Sequence, residues 1–403
     1  MPDVSIVVPS YNHEKFITAA IESVIRQTYT DYELIISDDA STDHSVDVIE
    51  AFIAEHPELP IRLIKNQTNL GGVLNLNQLI SQASSKYIAV LNSDDIWVPE
   101  KLETQVEYLE RHPEVGAVFT HAVIVDEQGV ELPKQNYPFS DVFFQQNRSR
   151  GDWLRRFFFE QNCLCHPSVL IRRNIYSRVG CYDPRYRQIP DFEMWLRLVK
   201  HTDIHIIEHP MTSLLWHGNN TSAINPENIL RGYRELHYIL RDFFEDVADD
   251  IFIDGFQKYF RKPAASSPGE LACEKAFIYF HAIGPIQSIF HNIGLDKIFD
   301  LLCEPLTTKT FSEEYQFSFQ DLIELNGREP FGNVFYPGIQ LSRGGAEPVN
   351  ETLEQPCCED EVRSATSRGN LSWKERIKFE LRKTPFLFSI ASTIWRQISG
   401  RLR

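Results

Sequence analysis

The chain of 403 residues is short of several things, and each shortage narrows its class. Cysteine is scarce: there are seven, an odd number, at 163, 165, 181, 273, 303, 357 and 358. Neither Cys163-Leu-Cys165 nor Cys357-Cys358 has the spacing of a zinc-ligand pair, so a reduced, cytoplasmic setting is expected rather than a disulfide scaffold. No apolar run reaches the ~18 residues that a membrane-spanning helix needs. The first strand-like run, VSIVVP, begins at residue 4 without a basic segment ahead of it, so no signal peptide is expected. No glycine follows that run, where SYNHEK stands, which argues against a nucleotidyltransferase that cradles a triphosphate in a glycine-rich loop. No G-x-G-x-x-G follows an early strand either, which argues against a nicotinamide enzyme. Positive charge is in deficit. The net charge of −16 excludes general nucleic-acid binding by the body of the protein.

The charge that is present is uneven. From 371 to 403 there are eight Lys/Arg against two Glu, a net of +6, so the remaining residues carry −22. This tail also holds Phe379, Phe386, Phe388, Ile394 and Trp395. A basic segment with aromatics suits peripheral contact with an anionic membrane surface, and suits equally a helix packed on the acidic body.

The first third alternates continuous apolar runs with amphipathic helical patterns. Strands are expected at 4–9, 32–37, 61–65, 86–92 and 117–125. Helices are expected at 14–28, 45–55, 73–83 and from Pro99. This is the pattern of βαβ units forming a mainly parallel sheet with helices on both faces. Residues 126–190 read as loops and short elements. A helix is expected over 191–201, a strand over 202–208 and a polar loop over 214–222. From residue 226 the texture turns helical and aromatic. The expected organisation is an α/β domain over 1–225, a mostly helical region over 226–341, a flexible linker over 342–370 and the basic tail over 371–403.

In such sheets ligands sit beyond the carboxyl ends of the strands. Three polar clusters fall there: Ser10-Tyr11-Asn12, Asp38-Asp39 and Asp94-Asp95. Paired carboxylates can hold a divalent cation that bridges to phosphate, or can simply cap a turn. Asp39 could accept hydrogen bonds from a nucleobase or ribose, or cap the next helix. Asp191 opens a helix, where an Asp is a common cap and also a feasible general base. His217, His166 and His121 fit packing as well as ligation, and Arg172 and Arg173 fit a solvated edge as well as diphosphate.

Taken in order, VSIVVPSYNHEKFITAAIESVIRQTYTDYELIISDDASTD, LNSDDIWVPEKLETQ, HPSVLIRR, PDFEMWLRL and WHGNNTS resemble the family 2 inverting glycosyltransferases of the GT-A fold, over about residues 2–225. The resemblance implies that Pro9, Ser10, Tyr11, Asn12, Asp39 and Asp94 bind the nucleotide of a nucleoside-diphosphate sugar, expected to be UDP-linked. It implies that Asp94, Asp95 and His217 bind Mn²⁺ or Mg²⁺ and diphosphate, and that Asp191 deprotonates the acceptor hydroxyl. The expected acceptor is a glycan or lipid-linked sugar, as in polysaccharide assembly. Asn92 stands where the family's Asp-X-Asp begins, which removes one negative charge. The rival reading is a sugar-nucleotide sensor or scaffold that binds without turnover.

Overall fold

A computed structural model describes residues 2–133, 139–217, 220, 225–284 and 286–328. The expected linker at 342–370 and tail at 371–403 lie outside the described residues. Among those residues the chain forms an eight-stranded mixed sheet flanked by helices.

Continuous apolar runs become strands with both faces covered. β1 (Val4–Ser10) directs Val4, Ile6 and Val8 to one side and Val7 to the other, and nearly every residue of the strand is buried. Helix α1 (Ile17–Ile25), strand β2 (Tyr32–Asp38), helix α2 (Ser45–Glu55) and strand β3 (Ile61–Lys65) follow in right sequence order. Next come α3 (Gly72–Gln82), β4 (Tyr87–Val90), the two-residue β5 (Ile96–Trp97), α4 (Lys101–Arg111) and β6 (Val115–Val125). On one face Ile17, Ile21 and Val24 of α1, Ile49 of α2 and Leu102, Val106 and Leu109 of α4 close over Ile6, Val8, Leu34 and Ile36. On the other, Leu76, Leu79 and Ile80 of α3 meet Val7, Ile35, Ile88 and Val90.

The strand order is β3-β2-β1-β4-β7-β6-β8-β5, where β7 is Leu170–Arg172 and β8 is Asp203–Leu215. β3, β2, β1 and β4 run parallel, β7 runs antiparallel to both neighbours, and β8 is parallel to β6 and antiparallel to β5. The sheet is thus mainly parallel, as expected. Strand β8 outruns the expected 202–208: it resumes beyond Pro210, where the pairing with β6 shifts at His121. Proline cannot donate to the ladder, so the register slips there and recovers.

Residues 126–190 hold more regular structure than loops. An eleven-residue helix, α5 (Arg150–Glu160), is capped by Ser149, whose side chain accepts from the Asp152 N–H. It is followed by α6 (Arg173–Val179) and α7 (Pro190–His201). The run RRFFFE in α5 shows no apolar stripe because its aromatics serve more than one neighbour. Phe157 packs edge-on to Phe192 of α7, while Phe158 meets Phe243, Phe256, Tyr279 and Phe290.

Those last partners belong to the C-terminal region, helical as expected, whose first helix is α8 (Pro226–Arg241). α9 (Asp249–Phe256), α10 (Pro268–Ile278), α11 (Gln287–Leu301), α12 (Pro305–Tyr315) and α13 (Phe319–Arg328) complete it. α5 and α9 touch backbone to backbone through Gly151 and Gly255; a Cβ on Gly255 would lie 2.3 Å from the Gly151 carbonyl oxygen. One hydrophobic core therefore runs from the sheet through α5 and α7 into α8–α11.

Candidate functional site

Three strand ends build the floor of the site. After β1 the chain turns at Asn12, whose φ of 55° is the left-handed region that asparagine tolerates better than most residues. The Asn12 N–H donates to Ser41 Oγ at 2.8 Å and its Oδ1 accepts the Thr42 N–H at 2.8 Å, tying this turn to the one after β2. Asp38 accepts from both the N–H and the hydroxyl of Ser41. Tyr11 is exposed, Pro9 is half-buried, and the buried hydroxyls of Ser10 and Ser37 have no protein partner. Asp39, also buried, accepts from Leu70 N–H at 2.8 Å and Asn66 Nδ2 at 3.0 Å on Oδ1, and from Gly71 N–H at 2.8 Å on Oδ2. A carboxylate has about four acceptor positions, so one remains on Oδ2.

Beyond β4 the adjacent carboxylates separate. Asp95 turns inward: its Oδ1 accepts the Leu215 N–H at 2.9 Å and its Oδ2 accepts Asn92 Nδ2 at 2.8 Å. Burial first, and the Asp94 charge second, push its carboxyl well above the usual range. It fastens the β4–β5 turn to the end of β8. Asn92, at the start of the acidic motif, is spent on that same turn.

Asp94 turns the other way. Its Oδ2 lies 3.1 Å from His217 Nε2, which follows the end of β8. His13, just after the SYN segment, joins them, and ligand atoms of His13, Asp94 and His217 all lie within 4.8 Å of one another. Phe16 stacks on His217 with centroids 5.0 Å apart, and His13 Nδ1 is 2.7 Å from Ser93 Oγ. Burial lowers the His13 pKa, which keeps the imidazole neutral and able to ligate. Two imidazoles and one carboxylate fit a first-row transition ion such as Mn²⁺ better than Mg²⁺, which prefers oxygen. The structure thus brings Asp94 and His217 together, adds His13 and leaves Asp95 outside the cluster. Only its place right after Ser10-Tyr11-Asn12 could have marked His13 in the sequence.

Asp191 is the second residue of α7, after Pro190 at the first turn. Its Oδ1 accepts the Phe192 N–H at 2.9 Å and its Oδ2 accepts Asn162 Nδ2 at 2.8 Å. Burial outweighs these bonds and raises its pKa to about 6. Cys165 links this carboxylate to the β4 end: burial raises its thiol well above the ordinary value, and the charges of Asp95 and Asp191 both add to that rise.

The other candidates are structural. Arg172 donates to the Leu109 and His112 carbonyls at the end of α4 and to the Val115 carbonyl that opens β6, and Arg173 to the Ser85 carbonyl. His121 Nε2 bonds the Gln145 carbonyl, and His166, whose pKa burial lowers to about 4, bonds the Tyr182 hydroxyl.

A mainly parallel sheet with acidic and histidine side chains beyond its strand ends, followed by helices, defines the GT-A class of α/β fold. The model of the family described as Glycosyl transferase family 2 matches residues 5–180. That match spans 176 of the 403 residues of the chain. Bacillus subtilis EpsE, named as a glycosyltransferase, is 32% identical over 202 residues, covering 49% of this chain and 66% of EpsE, so the chain spans just under two thirds of that relative. TuaG of the same organism, named as a teichuronic acid biosynthesis glycosyltransferase, is 29% identical over 199 residues, covering 49% of this chain and 73% of TuaG. The structure of S. aureus TarS 1–349 in complex with UDP-GlcNAc superposes with a TM-score of 0.53 at 15% identity, covering 79% of this chain and 93% of TarS 1–349, and shares the fold. No helix among the described residues is long and apolar enough to cross a membrane.

Proposed function

We propose that the chain is an inverting glycosyltransferase, moving a sugar from a nucleoside-diphosphate sugar, expected to be UDP-linked, to an acceptor hydroxyl. One observation carries this reading. A carboxylate with a pKa near 6 stands at the same end of the sheet as the His13, Asp94 and His217 cluster, whose ligand atoms lie close enough together to hold a cation. A base of that strength is ionised at neutral pH and can still take up a proton, as general-base catalysis requires.

In this reading Pro9, Ser10, Tyr11, Asn12 and Asp39 line the nucleoside, with the open position on Asp39 Oδ2 facing a nucleobase or ribose donor. His13, Asp94 and His217 would hold Mn²⁺, and the cation, when bound, supplies charge neutralisation for the departing diphosphate. Asp191 accepts the proton of the acceptor hydroxyl as its oxygen bonds to the anomeric carbon. The bond from that carbon to the diphosphate oxygen breaks on the opposite side, and its electron pair leaves with the diphosphate. One displacement inverts the centre. The acceptor we infer is a glycan or lipid-linked sugar, in keeping with the biosynthetic name of TuaG, and the basic tail at 371–403 is the segment we assign to contact with an anionic membrane surface.

The test is a thermal-shift screen of the protein against uridine, guanosine and thymidine diphosphate sugars, with and without Mn²⁺. A ligand at 100 times its Kd stabilises the native state by about 2.7 kcal/mol. The expected result is an Mn²⁺-dependent shift with one donor class, followed by release of its nucleoside diphosphate. Binding without release would favour the sensor reading, and no shift with any donor would end both.

A further inference from the structure

One side chain holds the Asp191 carboxylate from outside its own helix, and a second clamps the backbone that leads into that helix. Gln161, at the end of α5, has a φ of 63°, a left-handed turn that sends the chain back toward α7. The next residue, Asn162, donates from Nδ2 to Asp191 Oδ2 at 2.8 Å, and its Oδ1 accepts the Leu164 N–H at 3.2 Å. The second bond settles which end of the amide faces the carboxylate. From the other side comes Glu235, in the middle of α8 and only 4% exposed. Its carboxylate accepts three successive backbone N–H groups, of Arg187 at 2.9 Å, Gln188 at 2.7 Å and Ile189 at 2.9 Å. Ile189 is the N-cap of α7, so the residues clamped by Glu235 lead straight into Pro190 and Asp191.

We propose that Asn162 and Glu235 are positioning residues for Asp191, and that the helical region thereby forms a working part of the transferase site through α8. The inference rests on the reading of Asp191 as the base. With one donor on each carboxylate oxygen, Asp191 keeps one acceptor position per oxygen for a substrate hydroxyl. The same arrangement explains why the α8 sequence GYRELHYILR carries an acid among its buried positions: an unpaired buried carboxylate is costly, and three N–H donors satisfy it.

The two residues act on the charge of Asp191 in opposite directions. The Asn162 hydrogen bond favours the ionised form, and the Glu235 charge disfavours it. The other titratable groups near Asp191 are the Cys165 thiol and the Tyr182 hydroxyl, both pushed well up by burial and so neutral near pH 7.

The experiment is a carbon-13 NMR titration of the full-length protein labelled at the aspartate carboxyl carbon, with the Asp191 signal assigned by its loss in Asp191→Asn. Asn162→Ala should move the Asp191 midpoint up by about one pH unit, and Glu235→Gln should move it down by several tenths. An unmoved midpoint in folded Asn162→Ala overturns the proposal. If Glu235→Gln does not fold, Asn162→Ala decides alone. The base reading fails separately, if Asp191→Asn still releases nucleoside diphosphate from the uridine, guanosine and thymidine diphosphate sugars at the wild-type rate while the midpoints move as stated.

Discussion

Replacing Asp191 by Asn should stabilise the protein at the pH where it destroys turnover. Burial raises the Asp191 pKa from 3.8 to about 6 in the folded chain. A folded-state pKa above the unfolded one means that the native protein binds the extra proton between those values, so stability is full below 3.8 and falls as pH rises through 6. At 1.36 kcal/mol per unit, the rise corresponds to about 3 kcal/mol lost to the ionised carboxylate at pH 8. Asp191 keeps some contact with solvent, so this is an upper bound. Asparagine escapes the penalty but turns its NH₂ toward either Asn162 Nδ2 or the Phe192 N–H, which costs about 1 kcal/mol. The expected net gain is about 2 kcal/mol at pH 8, or roughly 2 °C in Tm for a chain of this size. The gain should shrink between pH 6 and 4 and reverse below it. Scanning calorimetry of both proteins at pH 4, 6 and 8 measures it. A variant no more stable than wild type at pH 8, or a difference independent of pH, would refute the reasoning.

Asp94→Ala and His13→Ala should each weaken Mn²⁺-dependent nucleotide binding by about 10-fold or more while leaving binding without the metal unchanged, as read by titration calorimetry. Asp39→Asn places an amide where Leu70 and Gly71 both donate, so it should cost about 1–3 kcal/mol in urea unfolding and weaken nucleotide binding as well. Gly255→Ala drives a methyl into the Gly151 carbonyl and should lower stability by about 3 kcal/mol, since neither helix backbone can move aside without opening the core between α5 and α9. A change below about 0.5 kcal/mol in Gly255→Ala would show that the two helices do not pack through this pair.

The first half of the sheet was legible because parallel strands covered on both faces read as unbroken apolar runs. VSIVVP and YELIIS show this, and α2 and β3 fall on the expected residues. Elements defined by partners rather than by their own pattern were not legible. β5 is two residues that exist as a strand only through Thr212 and Ser213. The aromatic run of α5 looks irregular until α7 and the C-terminal helices surround it. The site followed the same rule. Asp39, Asp94 and Asp191 mark themselves by type and place at strand or helix ends. Asp94 and Asp95 look equivalent in sequence, and only the fold shows that Leu215 and Asn92 occupy one of them. His13 gains its meaning from Asp94 and His217, and Asn162 from Asp191 29 positions away, separations that no local pattern records.

The central claim is that this site consumes a nucleotide sugar with Asp191 as base. The most direct measurement compares nucleoside diphosphate release by the wild-type protein and by Asp191→Asn, with the donor that binds and Mn²⁺ present. The account predicts release by the wild type, a loss of about 10²–10⁴-fold in the variant and nearly unchanged donor affinity. Equal release by the two proteins, or none by either despite tight binding, would contradict it.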